Sequence, residues 1–170
     1  MQNDVSLRLA KRIWEVVEKE FESGELFEKV SPITKELLRF WFCEPFVSQR
    51  QFNFHKGQKQ SILNIIYLYE VLKINNVLEI YEQVAPDLLL ESDLFGAKET
   101  RNSLKESRYD LPKYLVKMAT GTGKTWVMHA LLIWQILNAK NEEEKSGLFT
   151  KNFLIVAPGL IVYDRLLDAY

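Results

Sequence analysis

Apolar residues recur every four positions at the start of the chain: Val5, Leu9, Ile13, Val17 and Phe21, with Trp14 alongside and charged residues on the other face. That spacing lays one apolar stripe along a helix, which Ser23-Gly24 is expected to end. In SPITKELLRFWF, Ser31 is placed to cap a second helix. Pro32 falls at its first position, where a missing N–H costs nothing, and the helix should run to about Cys43, ahead of Glu44-Pro45. A third helix opens near Gln58, and its broad face of Ile62, Leu63, Ile65, Ile66, Tyr69 and Leu72 predicts deep burial. The stretch NNVLEIYEQV is expected to continue it after a break at Asn75-Asn76, with Pro86 closing the region. From Asp87 to Leu111 the charges are mixed and no period is sustained, which reads as an irregular excursion.

The pattern then changes. Tyr114 to Met118 is a short strand candidate, and Lys124 to about Ala139 carries Val127, Leu131, Trp134 and Leu137 at helical spacing. Glu142 to Glu144 reads as part of a solvated loop, and Phe153 to Val156 as a second strand. Strand, glycine-rich loop, helix and strand make a βαβ unit, whose parallel strands need a crossover of right-handed sense. The expected fold class is therefore α/β, a helical N-terminal region followed by a parallel strand–loop–helix–strand unit.

Between the first strand and the helix lies Met118-Ala-Thr-Gly-Thr-Gly-Lys-Thr125. Gly121 and Gly123 permit backbone conformations in which successive N–H groups converge on phosphate oxygens, and the following helix presents its positive end to the same anion. Lys124 adds a full positive charge near the outer phosphates, and the Thr125 hydroxyl is placed to ligate Mg2+. Thr120 and Thr122 can serve as phosphate contacts or as loop filler. The general phosphate-loop pattern has Gly where this chain has Met118; the flanking strand and helix candidates supply the context that the mechanism requires.

Composition narrows the remaining classes. With 170 residues, 47% of them apolar, the chain can bury one ordinary core and a small appendage. A formal charge of −1 gives no global basic excess, so any nucleic-acid contact must be local. Cys43 stands alone, and neither His55 nor His129 lies at a metal-ligand spacing from it, which suggests a reducing, cytoplasmic setting and no structural metal. The first twenty residues mix charge through their apolar positions and contain no signal-peptide core. No apolar run approaches the roughly 20 residues that span a bilayer, so no membrane partner is expected.

The stretch MATGTGKT resembles motif I of superfamily 2 helicases and translocases, whose form is Ala-x-x-Gly-x-Gly-Lys-Thr, and Met118 looks like the restriction-enzyme branch of that superfamily. NFLIVAPGLIVYDRL is similar to its motif Ia, a strand ending in Ala-Pro-Gly and a loop that meets a nucleic-acid strand. Together they resemble the N-terminal part of the Res motor subunit of type III restriction enzymes and related DEAD/DEAH-box proteins. The resemblance implies a RecA-like P-loop domain over residues 51–170, preceded by a helical extension over 1–50. It implies ATP and Mg2+ as cofactors, with Lys124 and Thr125 catalytic and Thr120 to Thr125 cradling the phosphates. DNA would be a partner, held weakly by this chain, and a modification subunit a further partner in the intact system. Gln58, in FHKGQKQSI, is similar to the adenine-reading glutamine of the superfamily, since an amide donates and accepts at once. Its distance from Lys124 exceeds the usual spacing, so the stretch near 75–111 would be an insertion. Pro158, Gly159 and Arg165 would meet the DNA backbone.

Turnover needs more than a phosphate loop: a strand-terminal Asp for magnesium, a carboxylate that positions water, and arginines from a second domain. The only candidate acid is Asp164 in LIVYD, too close to the preceding strand to lie on a parallel neighbour. Asp164 is therefore expected to start the next helix, and the chain to bind nucleotide without hydrolysing it. The expectation is thus the ATP-binding N-terminal part of a translocase. The alternatives are a stand-alone nucleotide-binding regulatory module, or a helical docking protein with a vestigial loop.

Overall fold

The computed structural model describes residues 5–91, 113–141 and 147–156, together with Asp164. Helix α1 (Val5–Ser23) ends at Gly24, whose φ of +87° turns the chain out of the helix. A single helical turn, α2 (Leu26–Lys29), follows and fully buries Leu26. Helix α3 (Pro32–Phe42) starts as the sequence implies: the Ser31 hydroxyl accepts the Thr34 N–H and Pro32 occupies the first turn.

Helix α4 (Lys56–Ile66) runs directly into a π-helical turn, Tyr67–Val71. The chain then bends through Lys73, at φ +52°. The Asn76 side chain caps α5 (Val77–Val84) by accepting the N–H groups of Leu78 and Glu79. Pro86 does not close the region. It opens α6 (Pro86–Glu91), because a proline that cannot continue one helix is well suited to the first turn of the next. Helix α7 (Lys124–Asn141) follows the phosphate loop.

One core joins these helices. Leu9, Ile13 and Val17 of α1, Leu38 and Trp41 of α3, Ile62, Leu63 and Ile66 of α4, and Val127, Ala130 and Trp134 of α7 form one buried cluster. Residues before and after position 50 therefore share a single apolar interior. Helix α4 lies at its centre, in contact with both α1 and α7, while α3 also packs on α7.

The expected α/β unit is not found. Among the described residues there is no strand and no sheet, so the strand–loop–helix–strand parallel arrangement is corrected to a helical one. Residues 113–118 alternate between exposed and half-buried positions, as a strand would, with Tyr114 and Met118 against the core. Yet Leu115 is 92% exposed and Leu154 89%, and no ladder pairs either segment. The reason lies in what covers α7. A strand exists only through a neighbour's N–H and C=O groups, and a sheet needs a helix face to cover it. The face of α7 bearing Val127, Ala130 and Trp134 is already occupied by α3 and α4.

Candidate functional site

The phosphate loop is shaped by its two glycines, Gly121 at φ +80° and Gly123 at φ +75°, in the left-handed region that favours glycine. Between them the Thr122 hydroxyl donates to the Ala119 carbonyl at 2.7 Å, closing a tight turn. The Lys124 ammonium folds across the same turn and donates to the carbonyls of Met118 and Ala119, each at 2.8 Å. Helix α7 begins at Lys124, with the Trp126 N–H bonded to the Gly123 carbonyl. The side chains of Thr120, Lys124 and Thr125 are exposed at this helix end.

Gln58 lies against the loop from below. It is 5% exposed, and its amide nitrogen donates to the carbonyls of Thr122 at 3.0 Å and Gly123 at 3.3 Å. Its oxygen accepts the His55 N–H at 2.7 Å, completing the first turn of α4. Both amide hydrogens and one oxygen lone pair are thus committed to the chain itself, and the residue works as a brace between α4 and the loop. The fit is close: a Cβ on Gly123 would stand 2.3 Å from the Gln58 nitrogen.

Beneath the loop, α7 is fixed by a polar cluster inside the core. Glu70, in the π-helical turn, accepts the Ser31 N–H at 2.5 Å, the Thr34 hydroxyl at 2.8 Å and the Trp134 indole N–H at 3.1 Å. Asn138 donates to the Thr34 hydroxyl at 3.0 Å, and its oxygen lies 2.5 Å from the Ser31 hydroxyl. A carboxylate at the start of α3 also meets the positive end of that helix. Sequence reasoning missed Glu70 and Asn138. The available signal for Glu70 was a lone polar residue inside the apolar run IIYLYEVL; Asn138, with Gln135 and Lys140 nearby, carried no such signal.

On the other side of α7, a cavity of about 880 Å³ opens between this helix and the chain around residues 50–55. It too was missed, because its walls come from four separated stretches. Trp126, His129 and Ile133 of α7 line it together with Phe52, His55 and Gln58, the residue that also bonds to the loop.

Of the residues expected to act, Gln58 and Thr120 to Thr125 are therefore brought together. Pro158, Gly159 and Arg165 lie outside the described residues. Asp164 is exposed and helical in backbone. Among the described residues no His, Cys, Asp or Glu cluster could hold a metal, and no helix is long and apolar enough to cross a membrane.

Two left-handed glycines thus turn the chain into the head of an 18-residue helix. The family model for the type III restriction enzyme res subunit matches residues 51–170, and the chain belongs to that family, whose domain is DEAD/DEAH-box helicase-like. Neither the curated proteins nor the solved structures compared with the chain give a match.

Proposed function

We propose that this chain binds ATP with Mg2+ on the loop from Met118 to Thr125, as the nucleotide-binding part of a restriction-system motor that couples ATP hydrolysis to movement along DNA. The observation that carries this reading is the braced loop: two left-handed glycines held by Gln58 at the mouth of an 18-residue helix. The donor set suits a polyphosphate. The N–H groups at the start of α7 point out of the helix end. The Lys124 ammonium, now on two backbone carbonyls, would turn to an anion held there. Thr120 to Gly123 would cradle the phosphates, Lys124 would neutralise the outer ones, and the Thr125 hydroxyl would take the metal. Mg2+ held there would offset the charge of the phosphates. Gln58 would keep the loop open for this.

Pro158, Gly159 and Arg165 remain the proposed DNA contacts. A modification subunit is the partner that the family implies, and the cytoplasm the compartment. A second reading, nucleotide binding without translocation, is favoured by one observation: Asp164, the acid of LIVYD, is helical in backbone.

The test is ATP-dependent thermal stabilisation with and without Lys124→Ala. Ligand at a hundred times its dissociation constant should stabilise the unsubstituted chain by about 2.7 kcal/mol, and the variant should lose the shift. Equal shifts in both would end the assignment. Turnover by the 170-residue chain should be negligible, and hydrolysis abolished by Asp164→Asn would contradict that.

A further inference from the structure

One continuous element, α4 with its π-helical turn, holds the phosphate loop and α7 at two points. At the loop end Gln58 donates to the Thr122 and Gly123 carbonyls. Further along, Glu70 accepts the indole N–H of Trp134, and the Tyr69 ring stands edge-on to the same indole at 5.5 Å. Positions 58 and 70 lie twelve residues apart, which in an unbroken α-helix places them about 120° apart around the axis. The wider turn of Tyr67–Val71 takes up part of that angle, so both side chains reach the loop and its helix. The second point consists of buried groups: Thr34, Glu70, Trp134 and Asn138. The Thr34 hydroxyl, from α3, is their centre. It donates to Glu70 at 2.8 Å, accepts the Asn138 amide at 3.0 Å and shares the Trp134 indole N–H with Glu70, at 2.9 Å. Trp134 and Asn138 stand one turn apart on α7, so together they fix its rotation about the axis and its position along it. Apolar packing is non-directional, and setting register is the best-attested use of polar groups buried in a core.

We propose that Thr34 and Glu70 are positioning residues for nucleotide binding: acting through Trp134, they hold α7 in the register at which its first N–H groups and Lys124 meet the phosphates. The proposal rests on the nucleotide-binding reading above and adds what sets the affinity. Neither residue touches the ligand. Trp134 lies ten residues beyond Lys124, roughly 15 Å along a stiff helix, so a slide or turn of α7 at the cluster is carried to the loop end. Hydrogen bonds from the helix end to phosphate oxygens weaken steeply with misalignment, and a displacement of about 1 Å is enough to matter in a site that positions its ligand. Gln58 fixes the near end of the unit, and the cluster fixes the far end. Ser31 and Thr34 precede the residues 51–170 that the family model matches, so part of what aims the loop comes from the N-terminal helices.

The experiment measures the affinity for ATP with Mg2+ by calorimetric titration of the full chain and of Thr34→Val, Thr34→Ser, Glu70→Ala and Leu26→Ala, at a temperature where each is folded. Thr34→Val keeps the branched shape and removes the hydroxyl, whereas Thr34→Ser keeps the hydroxyl. Leu26→Ala empties a fully buried position of α2 in the same core and is the control for lost stability alone. Thr34→Val should weaken binding roughly twofold to thirtyfold, the range that networks of packed residues transmit, and Glu70→Ala at least as much. Thr34→Ser should stay close to the unsubstituted affinity, and Leu26→Ala should lower the thermal midpoint of the free chain without changing the affinity. Should Glu70→Ala not fold, the two Thr34 variants decide the question. Unchanged affinity in Thr34→Val would overturn the proposal while leaving the nucleotide reading in place. So would a loss in Thr34→Ser or Leu26→Ala as large as that in Thr34→Val, since the effect would then follow core stability and not the hydroxyl. Absence of ATP binding by the unsubstituted chain would remove the nucleotide reading and this proposal together.

Discussion

Gly121 and Gly123 share a backbone conformation but not a neighbourhood, and that difference decides what alanine does at each. At Gly121 an added Cβ meets nothing within 4 Å, so the cost is left-handed strain alone, about 1–2 kcal/mol. At Gly123 the Cβ would meet the Gln58 nitrogen at 2.3 Å. The amide must then withdraw, leaving the Thr122 carbonyl without the Gln58 donor and the Gly123 carbonyl with the Trp126 N–H, at a further cost of roughly 1–3 kcal/mol. Gly123→Ala should therefore lower the urea midpoint clearly more than Gly121→Ala. Adding Gln58→Ala to Gly123→Ala should cost less than Gln58→Ala does in the parent chain, because the clash and the brace are the same contact. Additive effects would show that the two residues do not meet.

Among the elements, α7 is held by polar as well as apolar contacts. Glu70 takes three hydrogen bonds, from the backbone of Ser31 and the side chains of Thr34 and Trp134, and so ties α3, the π-helical turn and α7 at one buried point. Removing the carboxylate orphans the Ser31 N–H and the Thr34 hydroxyl, while the Trp134 indole keeps the Thr34 oxygen at 2.9 Å, and bonds to a charged acceptor contribute about 1.5–3 kcal/mol each. Glu70→Ala should destabilise by about 3 kcal/mol or more in denaturant unfolding. Thr34→Val should have a much smaller effect in the Glu70→Ala background than alone, since the two belong to one network. Independent effects would show that the cluster does not act as a unit. The same cluster explains why the apolar spacing of α7 was only partly informative. Val127 and Trp134 are buried as the period implies, but Leu137 is more than a third exposed while Asn138 is buried in its place.

The whole molecule should respond to alkali through two tyrosines. Burial, then the hydrogen bond to Glu20, pushes the Tyr67 hydroxyl well above its ordinary value of 10. Burial, and secondarily Tyr69, pushes Tyr114 up to about 12. In both, the folded chain keeps a proton that the unfolded chain has lost. The stability they contribute is complete below pH 10 and declines as the pH rises from there toward the folded values. The thermal midpoint should fall between pH 10 and 12, and Tyr67→Phe with Tyr114→Phe should flatten that slope. An unchanged slope would place the alkaline loss in other groups.

What the sequence determined by itself is local: the stop at Gly24, the Ser31-Pro32 start, the Asn76 break, the extent of α7 and the glycines of the phosphate loop. Each depends on a residue's own backbone preference or on a partner within four positions, so it can be read without knowing the fold. The tertiary structure decided the rest. Whether 114–118 and 153–156 become strands depends on pairing partners, and here the α7 face that would cover a sheet is filled by α3 and α4. Pro86 reads equally as an end or a beginning until the next turn forms. Gln58 became a brace, and Trp126 the wall of a cavity, only when packing brought residues 58 and 122–126 together. Contacts between distant positions carry no periodic signature along the chain, so no spacing rule could have announced them.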